Sequence, residues 1–201
     1  MASSAKALRS VLFWVMPVLL IGSGVYLLLL VTAPSVPIPI INEPPNVARH
    51  LAETSDTALD PNRPNRLYIP KINVDVAIVE GNTEATLEKG AWHRKPENGN
   101  PADGGNFILA AHRFRMGWTP GQARINSPFY HINKLEPGDE IVVDYGGKRY
   151  AYKVDKIYDA PATAVEIEAR TTEHRLTLYS CDLRAKARVV VEASPAISSE
   201  T

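Results

Sequence analysis

The chain carries a single cysteine, Cys181, and its setting is chemically suggestive. Leu176, Leu178 and Ser180 alternate with Thr177 and Tyr179 in the period-two pattern of a half-buried strand that ends at Cys181. Six mostly charged or small residues, 182–187, follow, and then Arg188 leads into a second β-branched run, Val189, Val190 and Val191. Two such runs joined by a short polar loop predict an antiparallel hairpin that sets Cys181 beside Arg188. A guanidinium next to a thiol favours the thiolate and can hold the oxyanion of a tetrahedral intermediate. The competing reading, a buried structural thiol, suits the end of a strand beside an Arg and an Asp poorly.

Catalysis by a cysteine nucleophile needs a proton carrier, usually histidine. Of the five histidines, His50 lies in a proline-rich region, His93 and His131 sit beside aromatic residues in expected loops, and His174 precedes the cysteine strand. His112 differs, because it ends the apolar run Phe107, Ile108, Leu109, Ala110, Ala111 as Cys181 ends another. Two strand-end side chains can meet at one rim of a barrel. Arg184 competes with Arg188 for the cationic role but falls mid-loop.

Other chemistries find less support. No CxxC, HxxxH or HExxH spacing is present to scaffold a metal, and no GxSxG marks a serine hydrolase, so no metal or other cofactor is expected. Glu166 and Glu168 read as a solvated loop face rather than a calcium site. Acidic and basic residues balance at 22 each without a long basic run, which argues against nucleic acid as a partner.

The elements that must position these residues follow from pattern. Residues 11–31 carry no charge and are long enough to cross a bilayer as a helix. Lys6 and Arg9 precede them, so the positive-inside rule places residues 1–10 in the cytoplasm and everything after the span outside. An apolar run of this length, followed by Pro34, suits an anchor better than a cleaved signal. Outside the membrane a lone cysteine has no internal disulfide partner and is a liability unless buried or used.

Residues 32–65 form a proline-rich stalk, in which 50–60 could hold a short amphipathic helical turn. A globular domain of about 130 residues, 66–193, is large enough for its own core, and a polar tail, 194–201, closes the chain. Residues 67–70 and 72–79 read as strands, 83–89 as a short helix capped by Thr83, 107–111 as a buried strand, and 128–135 as a helical turn. Residues 140–144 and 148–159 make a hairpin around Gly146-Gly147, while 163–170 suits strand or helix equally. Seven or eight short strands with one to three short helices predict a mainly β fold, a closed or nearly closed barrel.

These residues carry a resemblance. Leu176-Thr177-Leu178-Tyr179-Ser180-Cys181 with Arg188 downstream resembles the sortase TLxTC signature and its arginine, with Ser180 in place of the usual Thr. The segment from Gly105-Asn106 to His112-Arg113 resembles the family's GN…GHR stretch, with Ala111 where Gly is common. Arg66-Leu67-Tyr68-Ile69-Pro70 resembles its opening strand, and Phe129 to Leu135 with Pro137-Gly138-Asp139 its F…L…L…GD stretch. Any one of these is weak; four in order are specific.

The resemblance implies a closed eight-stranded sortase-like β-barrel behind a transmembrane anchor of a Gram-positive-type membrane. It implies a transpeptidase in which Cys181 attacks an LPxTG-like sorting signal to form a thioacyl enzyme. His112 would shuttle protons and Arg188 hold substrate or oxyanion, and an amine of a cell-wall precursor or another protein would accept the acyl group. Thr177 and Ser180 would line the groove, or serve packing and strand hydrogen bonding. Asn62 after Asp60-Pro61, where pilin-polymerising members carry an aromatic lid residue, favours a housekeeping-type or other single-anchor member. A thiol hydrolase on the same fold and a non-catalytic anchored binding module are the alternatives.

Overall fold

In the computed structural model, residues 2–35, 62–181 and 187–196 are described. The expected turn within 50–60 and the rival Arg184 lie outside them. A 31-residue helix, α1 (Ala2–Thr32), opens the chain. Within it Phe13–Thr32 is long and apolar enough to cross a membrane.

The domain is a barrel. Its strands are β1 (Arg66–Ile69), β2 (Val74–Val79), β3 (Ala91–Arg94), β4 (Gly99–Asn100), β5 (Gly104–Ala110), β6 (Glu140–Tyr145), β7 (Lys148–Pro161), β8 (Arg175–Cys181) and β9 (Ala187–Pro195). They follow the order β3-β2-β1-β6-β7-β9-β8-β5-β4, and an additional β3–β5 pairing closes the sheet on itself. Eight strands form the closed ring, and the two-residue β4 hangs on β5. Closure removes the free edges that an open sheet of short strands would leave unpaired.

Alternation explains which side chains fill the barrel. Leu176 and Leu178 on β8, Phe107 and Leu109 on β5, and Val189 and Val191 on β9 all enter the main core, each fully or almost fully buried. Side chains between them point outward. Ile108, Ala110, Tyr179 and Val190 form a second apolar layer on the outer face with Ala160, Ala164 and Ile167. Burying each large aliphatic group contributes about 1.5–3 kcal/mol, so a one-residue slip of β8 would exchange both layers and is excluded.

The β6–β7 hairpin forms as expected. Gly146 and Gly147 sit at φ 57° and 74°, the pair of positive values that a two-residue turn between right-twisted strands requires. Several boundaries differ from the sequence reading. The strand expected from residue 72 starts at Val74, because a 3-10 turn over Pro70–Ile72 ends on Asn73 in the left-handed conformation. Residues 163–170 resolve into a 3-10 turn, Glu166–Glu168, and 83–89 into a 3-10 rather than an α-helical turn. β9 runs on to Pro195. A short helix, α2 (Pro120–Ile125), was not expected, although Thr119 caps it by accepting from the Gln122 N–H and Pro120 opens it.

Candidate functional site

Cys181 and Arg188 are direct partners in the antiparallel β8–β9 pairing. Beside β8 on its other edge runs β5, parallel to it, with Ala110 level with Tyr179. The Ala111 N–H continues the ladder by donating to the Tyr179 carbonyl. His112 follows Ala110 by two residues as Cys181 follows Tyr179 by two, so three neighbouring strands bring these positions together at one end of the sheet.

Neither Arg188 nor His112 is fully occupied. Arg188 donates through a terminal nitrogen to the Ala164 carbonyl at 3.0 Å, and its guanidinium lies 5.0 Å from the centre of the Tyr179 ring. Its Nε is buried without a hydrogen-bond partner among the described residues. The same holds for His112 Nε2, which lies 3.5 Å from Glu88 Oε1, long for a hydrogen bond. Glu88 itself is paired to Arg115 at 2.9 Å.

The hydroxyls of Thr177 and Ser180 are committed elsewhere. Thr177 Oγ1 donates to Asn106 Oδ1 at 2.6 Å and Ser180 Oγ to the Ala111 carbonyl, both buried. Ser180 thereby ties β8 to β5 one residue before both His112 and Cys181. Of the remaining histidines, His93 is not in a loop. It sits on β3, buried, with Nδ1 2.6 Å from Glu80 and Nε2 3.1 Å from the Gly99 carbonyl. His131 lies at the start of a 3-10 turn, where burial foremost pushes its imidazole below the ordinary value.

A polar network that sequence reasoning missed supports the outer face. Asn106 Nδ2 donates to the carbonyls of Ile167 and Ala169, at 3.1 and 2.7 Å. Arg94 reaches the Glu168 carboxylate at 3.0 Å, Tyr179 donates its hydroxyl to the same oxygen, and Asn98 donates to the Glu168 carbonyl. Glu168 is therefore not part of a solvated loop face; it is buried and saturated. Together these bonds clamp the β7–β8 connection over Tyr179, on which Arg188 rests. Only Asn106 had a signal, its place in the GN motif. Arg94 and Glu168 are far apart in sequence, and no local pattern joins them.

Two outcomes follow from this network. Asn106→Ala leaves two carbonyls and the Thr177 hydroxyl without their partner, and at about 1 kcal/mol each the expected loss is about 3 kcal/mol in a denaturant titration. Faster amide exchange should be confined first to the clamped 166–169 segment. Glu168 supplies a pH dependence. Burial raises its carboxyl, but hydrogen bonds from Arg94 and Tyr179, with the charges of Arg94 and Arg188, outweigh this and hold it below the ordinary carboxylate value. The unfolded chain therefore takes up the proton first as pH falls. The stabilisation is complete above the ordinary value of about 4.3 and is lost as pH drops through the lower folded value. Denaturation midpoints measured across that window should fall less steeply in Glu168→Gln than in the unsubstituted chain.

Two clefts among the described residues lie away from this site. One, of about 630 Å³, is lined by Glu97, Asp103, Gly105 and Arg170; the other, of about 600 Å³, by Pro34, Val76, Ile125 and His131.

A family model describing the sortase domain matches residues 67–196, well over half of the chain. The chain belongs to the sortase family. Sortase SrtE1 of Streptomyces coelicolor is 40% identical over 97 residues, covering 45% of this chain and 25% of that protein. Sortase D of Bacillus subtilis is 32% identical over 117 residues, covering 57% and 52%. The chain thus spans a quarter to about half of the length of these curated relatives. Among solved structures, a Clostridium perfringens sortase D5 transpeptidase is similar at a TM-score of 0.57 and 25% identity, covering 74% of this chain and 88% of that one. Sortase E of Streptomyces avermitilis is similar at 0.53 and 28%, covering 67% and 88%. The closed eight-stranded barrel is the fold that the sortase resemblance implied.

Proposed function

We propose that this sortase is a membrane-anchored cysteine transpeptidase. The Cys181 thiolate attacks the carbonyl carbon of a Thr-Gly bond in an LPxTG-like sorting signal. As the C–S bond forms and the C–N bond breaks, His112 delivers a proton to the departing amine. An incoming amine then attacks the thioacyl carbon while His112 takes its proton, restoring the C–N bond and releasing the thiolate. Arg188 holds the oxyanion of both tetrahedral intermediates or the substrate backbone. Thr177 and Ser180 serve by fixing the register of β8.

The observation that carries this reading is the pairing of Cys181 with Arg188 beside the end of the parallel strand that leads to His112. Nucleophile, oxyanion donor and proton carrier are the three parts that acyl transfer needs. The helix Phe13–Thr32 would hold the enzyme in the cell membrane with Lys6 and Arg9 on the cytoplasmic side and the barrel outside. Secreted proteins bearing the signal would be substrates, and a cell-wall precursor or another protein would supply the amine.

The test uses the full chain in detergent, a quenched library of LPxTG-like peptides, and triglycine. Amide product dependent on Cys181 supports the transpeptidase and reads out its motif. Cleavage without amine incorporation replaces it with a thiol hydrolase, and no turnover with an unreactive thiol replaces it with a binding module. Arg188→Ala should lower kcat/KM on the best peptide by about 10²–10³-fold, the cost of one oxyanion donor. Arg188→Lys should recover little, since a point charge does not reproduce the planar fork.

A further inference from the structure

The end of α1 is bound to the barrel domain. The Tyr26 hydroxyl donates to the Trp118 carbonyl, and the Arg124 guanidinium donates to the Ala33 carbonyl at 3.1 Å. Leu30 and Ala33 are buried, at 5% and 1% exposure, and α1 packs on α2. Yet Leu28, Leu29 and Val31, in the same last turns, remain largely exposed. Removing side chains of that kind from water is favourable.

On the domain side, the segment that meets α1 carries its own apolar groups. Trp118 is 86% exposed, Ile125 76% and Met116 51%. They lie on the stretch that meets α1, through the Trp118 carbonyl and through the packing of the Pro120–Ile125 helix. Tyr26 lies six residues before Thr32, about 9 Å down the helix axis, so the Trp118 backbone sits alongside the span rather than above it. Tryptophan and tyrosine concentrate at the level where acyl chains meet headgroups.

From this we infer that the Met116–Trp118–Ile125 patch is seated in the outer leaflet of the bilayer that α1 crosses, so that the barrel rests on the membrane in one orientation. The inference relies on the anchor reading of α1. The occupant is lipid because the stretch carrying these groups meets the helix whose own exposed leucines form the span, and the bilayer that takes up the helix shields both. The consequence is that the site at the end of β5, β8 and β9 is presented at a fixed attitude to the membrane.

The test reconstitutes the full chain in vesicles of phosphatidylcholine and phosphatidylglycerol, with or without lipids brominated near the top of the acyl chain. Three tryptophans are present, Trp14, Trp92 and Trp118. In Trp14→Phe, emission comes from Trp92 and Trp118, and the double variant Trp14→Phe/Trp118→Phe supplies the Trp92 blank. Trp14 and Trp118 are both exposed, so neither substitution disturbs the core. The expected result is a blue-shifted Trp118 component that loses most of its intensity to the brominated lipid and resists aqueous acrylamide. A Trp118 component at the wavelength of water-exposed indole, quenched by acrylamide and untouched by bromine, overturns the inference. Trp14, read from Trp118→Phe against the same blank, separates the two levels. Trp14 lies at the other end of the span, so quenching of Trp14 by the same brominated lipid, without quenching of Trp118, keeps the anchor and removes the patch; quenching of neither removes both.

Discussion

Cys181→Ala should abolish amide formation from a sorting-signal peptide and triglycine, with a loss on the order of 10⁴-fold or more in kcat. The alanine methyl group cannot form the acyl bond on which both half-reactions depend, and what survives is the small advantage of binding and oxyanion stabilisation over water. Peptide affinity should change little, so the loss falls on kcat rather than KM. Cys181→Ser should fare nearly as badly, because a neighbouring cation that favours a thiolate does not bring a hydroxyl within reach of ionisation at neutral pH. Single-turnover kinetics with both variants check the outcome. Appreciable turnover by Cys181→Ala would assign the nucleophile elsewhere.

His112→Ala is expected to cost about 10²–10⁴-fold, the span of a positioned general acid–base, and the loss should depend on the leaving group. An amine is expelled from the tetrahedral intermediate only once protonated, so amide substrates need His112 in the first step. A thioester or activated ester carrying the same peptide leaves as an anion without that proton. The variant should therefore acylate from the activated ester at near the unsubstituted rate and stall at aminolysis, giving a burst without sustained turnover. Equal loss on both substrates would reduce His112 to a structural role.

The parts of the fold that were legible in the sequence are those set by neighbours in the chain. The β6–β7 hairpin was readable because two alternating runs flank a Gly-Gly pair that can take two positive φ values. The Cys181–Arg188 pairing was readable for a similar reason, a short loop between period-two segments. β3 was not: four residues, Ala91–Arg94, give too short a period, and its two partners are a parallel contact to β2 and the closing contact to β5. Its inward and outward residues are settled by barrel closure, which no local window contains.

The candidate site divides in the same way. Cys181 and Arg188 stand at strand ends and His112 two residues past one, and strand ends can be found by pattern. The groups beneath them stand on different elements. Glu168 looked solvated because it is a carboxylate in a short connecting segment with Glu166 and Arg170, yet Arg94 and Tyr179 come to it from β3 and β8 and make a buried carboxylate tolerable. Tyr179 looked like one more alternating residue of the strand. Its ring is the surface on which the Arg188 guanidinium lies, and its hydroxyl closes the network that holds the roof of the outer face.

The central claim is a covalent acyl intermediate on Cys181, and intact-protein mass spectrometry tests it most directly. The full chain in detergent is mixed with an LPxTG-like peptide and quenched in acid before and after addition of triglycine. The expected result is a mass increase equal to the acyl fragment, localised to Cys181 by fragmentation, which disappears on amine addition as the amide product appears in equal amount. Cleavage of the peptide with no adduct at any time, or an adduct on another residue, would contradict it.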